Sequence, residues 1–165
     1  MSNMQDPMMK EIIDDFCDES QELFDQLEEC LEVVEDDPTK VQQLEKFGQI
    51  IDRVMGAAKS IEAEQTALFC EMGKIIGYKS SQIQDTPLVE VVVAILFDSV
   101  ELLRKMVSSL KENKKEDLQS INTKAFATRL QWLADKFQSI KRSSIAIGDA
   151  EQEKTIDTYI KELGL

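Results

Sequence analysis

Residues 44–61 read LEKFGQIIDRVMGAAKSI, and the spacing of their apolar side chains decides the fold class. Leu44, Phe47, Ile51, Val54, Ala58 and Ile61 recur at steps of three and four, the period of a helix with one buried face. At about 100° per residue, Glu45, Gln49, Asp52 and Gly56 fall on a second stripe nearly opposite the first. Solvent-facing stripes of bundle helices are usually rich in Lys and Glu. This one carries a carboxylate, a carboxamide, a second carboxylate and a glycine. The stretch therefore predicts a helix that buries one face and offers the other to a partner protein.

The same period extends outward in both directions. Asp6-Pro7 is a helix start, a capping side chain followed by a proline whose missing N–H costs nothing in the first turn. Met9, Ile12, Ile13, Phe16, Cys17, Leu23, Phe24, Leu27, Leu31 and Val34 then mark an amphipathic helix to about Glu35, acidic on its other face. Asp37-Pro38 repeats the stop-and-restart signal before the second helix. Neither Gly nor Pro interrupts the chain between Ser60 and Thr66, so there the second helix either bends or continues. A third segment carries Ala67, Leu68, Met72, Ile75 and Ile76 and fades into Gly77 and the polar KSSQIQD.

Asp85-Thr86-Pro87 opens a fourth and most hydrophobic helix; its Val91-Val92-Val93 run has strand propensity, but its length and the spacing of Ile95, Leu96, Val100, Leu103, Met106, Val107 and Leu110 predict a helix. ENKKED reads as a tight polar turn. A fifth helix places Leu118, Ile121, Phe126, Leu130, Leu133, Phe137 and Ile140 on one face, with Trp132 off its centre. After Arg142, SSIAIGDAEQEK has no sustained apolar period and reads as a tether. The chain then ends in a short amphipathic helix with Ile156, Tyr159, Ile160 and Leu163 on one side, too short to be stable unless docked on its own bundle or on a partner. The expected organisation is all-α: an antiparallel four- to five-helix bundle over residues 1–142, a tether at 143–153 and a tethered C-terminal amphipathic helix at 154–165.

Composition narrows the chemistry. A chain of 165 residues suits one domain with a proper core. With a net charge of −13 and no cluster of Lys or Arg, it is a poor match for nucleic acid or for anionic membrane surfaces. No run approaches the roughly 20 apolar residues of a membrane span, and MSNMQDPMMKE lacks the basic start and apolar core of a signal peptide, so the expectation is a cytoplasmic protein without membrane insertion. Cys17, Cys30 and Cys70 sit among apolar residues without CxxC spacing and read as buried free thiols. The sequence contains no histidine, which removes imidazole acid–base catalysis, histidine metal ligands and phosphohistidine chemistry together.

Two resemblances follow. Residues 8–140, beginning with EIIDDFCDESQELFDQLEECLEVV, resemble the histidine-containing phosphotransfer domain of CheA chemotaxis kinases. In that register Asp52 stands at the phosphorylated histidine, Met55 at the usual lysine and Gly56 at the usual glycine. The resemblance implies the same bundle without the phosphorelay, because a carboxylate cannot take the histidine's role. The shorter stretch EKFGQIIDRVM resembles the active-site helix of CheZ, the phosphatase of the phosphorylated regulator CheY, through Glu45, Gly48, Gln49, Ile50-Ile51 and Arg53. The last residues, AEQEKTIDTYIKELGL, are similar to the C-terminal CheY-binding helix of CheZ. CheZ usually has Asp where this chain has Glu45, and it is a longer chain.

The second resemblance implies a chemotaxis phosphatase acting on a phosphorylated CheY-type receiver domain. Its catalytic residues would be Gln49, orienting the attacking water, and Glu45, pairing with the receiver's lysine. Gly48, Asp52, Arg53 and Gly56 would meet the receiver, and Ile156, Tyr159, Ile160 and Leu163 would tether it. Such an enzyme needs no cofactor or metal of its own, since the receiver supplies Mg²⁺. Read singly, the same residues are ordinary: Glu45 and Asp52 make a solvated acidic face, and Gly48 and Gly56 permit close helix packing. The alternative function is a non-catalytic pseudo-phosphotransfer module that binds a receiver as scaffold or sequestering partner. A third is a bundle that only oligomerises, and a homodimer stays open.

Overall fold

The structure, a computed structural model, describes residues 6–143 and 154–165. Its helices are α1 (Pro7–Asp36), α2 (Gln42–Ser60), α3 (Glu64–Ser81), α4 (Thr86–Asn113), α5 (Lys124–Ser143) and α6 (Ile156–Leu163), with a 3-10 turn at Leu118–Ser120. No strand occurs among the described residues, so the protein is all-α. The chain divides into two compact units, Met1–Ile121 and Asn122–Leu165.

The first unit is a four-helix bundle. α2 packs on both α1 and α3, and α4 closes the ring by packing on α1 and α3. Connections of a few residues force neighbouring helices to run antiparallel. Ion pairs fix the α1–α4 register: Asp14 with Lys114 at 3.7 Å, Asp18 with Lys111 at 2.6 Å and Asp25 with Arg104 at 2.7 Å, ascending one helix and descending the other. Phe24, Leu27, Leu31, Phe47, Ile51, Phe69, Met72, Leu96 and Leu103 fill the centre and are fully buried.

Both Asp-Pro-type starts work as the sequence suggests at α1 and α4. The Asp6 carboxylate accepts from the Met8 N–H at 2.9 Å, and that of Asp85 from the Leu88 N–H at 3.1 Å. The valine run is helical, with Val92 and Val93 buried and Val91 outward, because burial outweighs its strand propensity. The three cysteines are buried free thiols. Burial pushes the Cys17 thiol up to about 11 and also raises Cys30 and Cys70, so none is a ready nucleophile near neutral pH.

Three boundaries differ from the sequence reading. Pro38 does not start α2. Asp37 instead accepts from the backbone N–H (3.1 Å) and hydroxyl (2.6 Å) of Thr39, and this closed turn delays the helix to Gln42. The open boundary after Ser60 is a true stop, made by Glu62 in the left-handed region (φ 61°) while the Ala63 N–H reaches back to the Ala58 carbonyl at 2.9 Å. Leu118 and Ile121 do not belong to the fifth helix. Leu118 is buried in the 3-10 turn, and α5 begins only at Lys124. The connection from α4 into the 3-10 turn also completes α3: the Glu116 carboxylate accepts from the Gln65 and Thr66 N–H groups at 3.2 and 2.5 Å. It supplies the cap that the N-cap residue Ala63 cannot.

In the second unit α5 packs on α6. Phe126, Leu130, Leu133 and Ala134 of α5 are buried, as are Ile156, Tyr159 and Leu163 of α6. Gln131 Nε2 donates to Asp157 Oδ1 at 2.8 Å, and Gly164 ends α6 in the left-handed region (φ 71°). A division after residue 142 would group α5 with the bundle; its packing groups it with the terminal helix instead. Of the expected tether, Ser143 ends α5 and residues 144–153 lie outside the described residues.

Candidate functional site

The stripe that opened the sequence reading is carried on the most closely packed helix pair of the bundle. Gly73 and Gly77, four apart on α3, turn the same bare edge toward α2. A β-carbon at Gly73 would lie 2.9 Å from Ile51 Cδ1, and one at Gly77 would lie 3.1 Å from the Leu44 carbonyl oxygen and 3.4 Å from Phe47 Cδ1. Glycine at both places lets the two backbones approach. Leu44, Phe47, Ile51, Val54 and Ala58 are fully buried on this and the neighbouring interfaces, so α2 is held firmly along its length.

Its opposite face is open. Glu45, Gln49, Asp52, Arg53 and Gly56 are all exposed, and α-helical geometry sets Glu45 and Gln49 one turn apart on the same side. The side chains of Glu45, Gln49 and Arg53 make no hydrogen bond or ion pair with the described residues, so they are available to something else. Asp52 is engaged: Lys74 of α3 places its Nζ 2.8 Å from Asp52 Oδ1, with the two side chains 44% and 48% exposed.

Gly48 differs from the other members of the expected contact set. It is buried, four residues after Leu44 and three before Ile51, and so belongs to the row that faces α3. The stem of Lys74 passes over it, with Lys74 Cγ 3.8 Å from where a Gly48 β-carbon would stand. Gly48 thus contributes to helix packing and is not on the exposed stripe. Gly56 is the reverse case: a β-carbon there would meet nothing within 4 Å. Ile156, Tyr159 and Leu163 are buried and Ile160 is half-buried in the second unit, where α6 turns Asp157, Lys161 and Glu162 outward.

Lys74, Gly73 and Gly77 are the residues that sequence reading passed over. The signal for the glycines is their spacing of four within EMGKIIGYK; the role of Lys74 appears only when α3 is laid antiparallel on α2. The assembled site is a carboxamide on a rigid helix, flanked one turn either way by Glu45 and Asp52, with cations from Arg53 and Lys74. Its chemical capacity is to orient a small polar molecule and to meet a charged surface. Among the described residues, no group of three or more His, Cys, Asp or Glu is placed to hold a metal ion. Likewise, no described helix is long and apolar enough to cross a membrane.

No protein-family model matches the chain, and neither a characterised protein nor a solved structure matches it.

Proposed function

We propose that this protein accelerates the hydrolysis of the phosphoaspartate on a CheY-type receiver domain. The observation that carries the reading is the pair Glu45 and Gln49, exposed one turn apart on a rigid helix and unpartnered within the described structure. An acyl phosphate is already activated, and Mg²⁺ and a lysine belong to the receiver. The chain therefore has to place one water. The Gln49 carboxamide oxygen accepts from that water while its N–H₂ group donates beside it, a part that a water-positioning glutamine also plays in nucleotide hydrolysis. The water oxygen forms the new bond to phosphorus as the bond from phosphorus to the aspartyl oxygen breaks. The carboxylate leaves with the electron pair, and the water's proton passes to the phosphate product or solvent. Orientation of this kind can supply several kcal/mol of barrier reduction. Glu45 engages the receiver's lysine and fixes the register.

The set Ile156, Tyr159, Ile160 and Leu163 takes part in this reading only when α6 leaves α5, because three of the four are covered in place. A second reading, a non-catalytic receiver-binding module, draws on one observation: the Asp52 carboxylate, at the position resembling the phosphorylated histidine, is occupied by Lys74. Phosphate release from a phosphorylated CheY-type receiver, timed with and without the protein, separates the two. The expected result is acceleration by the wild type that Gln49→Ala abolishes while receiver binding persists. Full activity in Gln49→Ala refutes the mechanism, and binding without acceleration assigns the second reading.

A further inference from the structure

We infer that Lys74 is the anion-binding residue of this site, held in reserve by Asp52 and transferred to the phosphoryl oxygens when the receiver docks. The inference rests on the phosphatase reading and assigns it a residue that the sequence pattern does not reveal. A phosphoryl group set against Gln49 would lie between two carboxylates, Glu45 four residues before and Asp52 three residues after. Those neighbours repel it. Side chains three or four apart on a helix have β-carbons about 5–6 Å apart, so the repulsion acts at short range. A cation must offset it, and the one aimed at this spot comes from the neighbouring helix.

Lys74 is built into place. The bare edge of α3 at Gly73 and Gly77 brings that helix close, the Lys74 stem lies over Gly48, and its ammonium ends 2.8 Å from Asp52. That puts the charge at Asp52, three residues from Gln49 along α2. The pair is about half exposed at both side chains, so it is a weak contact that a better anion can displace. A phosphoryl oxygen is such an anion, accepting a charge-assisted hydrogen bond from the ammonium. Asp52 meanwhile keeps the lysine along α2 in the free protein, and the pair must open for the ammonium to meet the phosphoryl oxygens. Arg53, exposed on the same helix, lacks this fixed placement.

The test uses the full chain and a CheY-type receiver loaded with Mg²⁺ and beryllium trifluoride, a phosphoryl mimic, against the same receiver unloaded. Lys74→Met should weaken binding of the loaded receiver roughly tenfold or more and leave the unloaded one nearly unchanged. Lys74→Arg should restore most of the loss. Asp52→Asn, which releases the lysine and removes a repelling charge, should tighten binding of the loaded form by up to about fivefold. Helical circular dichroism and thermal unfolding establish that the variants fold.

If Lys74→Met binds the loaded receiver as the wild type does, the assignment is overturned, and it falls alone where the wild type still accelerates phosphate release and Gln49→Ala does not. If the mimic's binding depends on Lys74 but the wild type does not accelerate phosphate release, the anion site stands and the phosphatase reading falls. A receiver that does not bind in either form overturns both.

Discussion

One chemical change, glycine to alanine, should have opposite consequences at two helices of the bundle. At Gly56 the added methyl meets open space on an exposed helical stretch. The change removes backbone freedom from the unfolded chain and should stabilise by up to about 1 kcal/mol. At Gly77 the same propensity gain is opposed by the Leu44 carbonyl oxygen 3.1 Å from the new carbon and the Phe47 ring at 3.4 Å. A backbone carbonyl inside a packed helix cannot swing aside, and overpacking of this kind costs about 1–3 kcal/mol. The net expectation is destabilisation by roughly 1 kcal/mol, or a fall in midpoint temperature on the order of 4 °C.

Gly73→Ala should fall between the two, because the 2.9 Å contact is with Ile51 Cδ1, the free end of a side chain that can rotate. Urea unfolding with an unchanged slope isolates the stability term. Far-ultraviolet circular dichroism is the signal to follow, because the single tryptophan, Trp132, reports on the second unit. A Gly77→Ala variant as stable as Gly56→Ala would refute the close α2–α3 approach that positions Lys74.

The remaining expectations concern elements that frame the site. Glu116→Ala should cost about 1–2 kcal/mol by stripping the cap from α3, with amide protection falling first at Gln65 and Thr66 in hydrogen exchange. Arg104→Lys should lose about 1 kcal/mol in urea unfolding despite conserving charge: Arg104 donates to Gln21 at 2.9 Å, Asp25 at 2.7 Å and Glu28 together while its head stacks 5.7 Å over the Phe24 ring, and one ammonium cannot repeat that fork. The Thr39 hydroxyl, and then its backbone N–H, hold the Asp37 carboxyl below its usual 3.8. A folded value below the unfolded one stabilises above the unfolded value and is lost as pH falls through the folded one. Asp37→Asn should therefore flatten the acid limb of a stability-versus-pH curve below about pH 4.

Helix existence was legible wherever burial imposed a period. α1, α2 and α4 each bury one continuous stripe, and the Leu44-to-Ala58 row is buried residue for residue. Boundaries were legible only where side-chain chemistry announced them. Asp6 and Asp85 cap as their sequences suggest, whereas Glu62 stops α2 in a conformation that Gly or Asn usually provides, leaving no composition signal. The α3 cap was invisible for a different reason: its acceptor, Glu116, arrives from some fifty positions away. The candidate site divides in the same manner. Glu45, Gln49 and Asp52 share a face by helical arithmetic, but Lys74 reaches them across an interface, and no single-helix period contains it. Gly48, expected among the partner contacts with close helix packing as the alternative, lies on the buried row that its spacing from Leu44 and Ile51 marks.

That division bears on why the exposed stripe exists. The bundle's stability rests on the buried row of α2, and the outward side chains of Glu45, Gln49 and Arg53 contribute no intramolecular contact to the described structure that would account for them. Surface substitutions away from special features change stability by no more than about 0.5 kcal/mol, so Gln49 is free to vary as far as folding is concerned. Asp52 is tied only to Lys74, through a pair whose exposure makes it weak. A carboxylate at Asp52 would repel a phosphoryl group brought to this face. Pairing it with Lys74 from α3 offsets that local charge and sets a cation three residues along α2 from the Gln49 carboxamide. The stripe and the glycine edge of α3 then form a single device, with the close packing of two helices setting the distance between its charge and its amide.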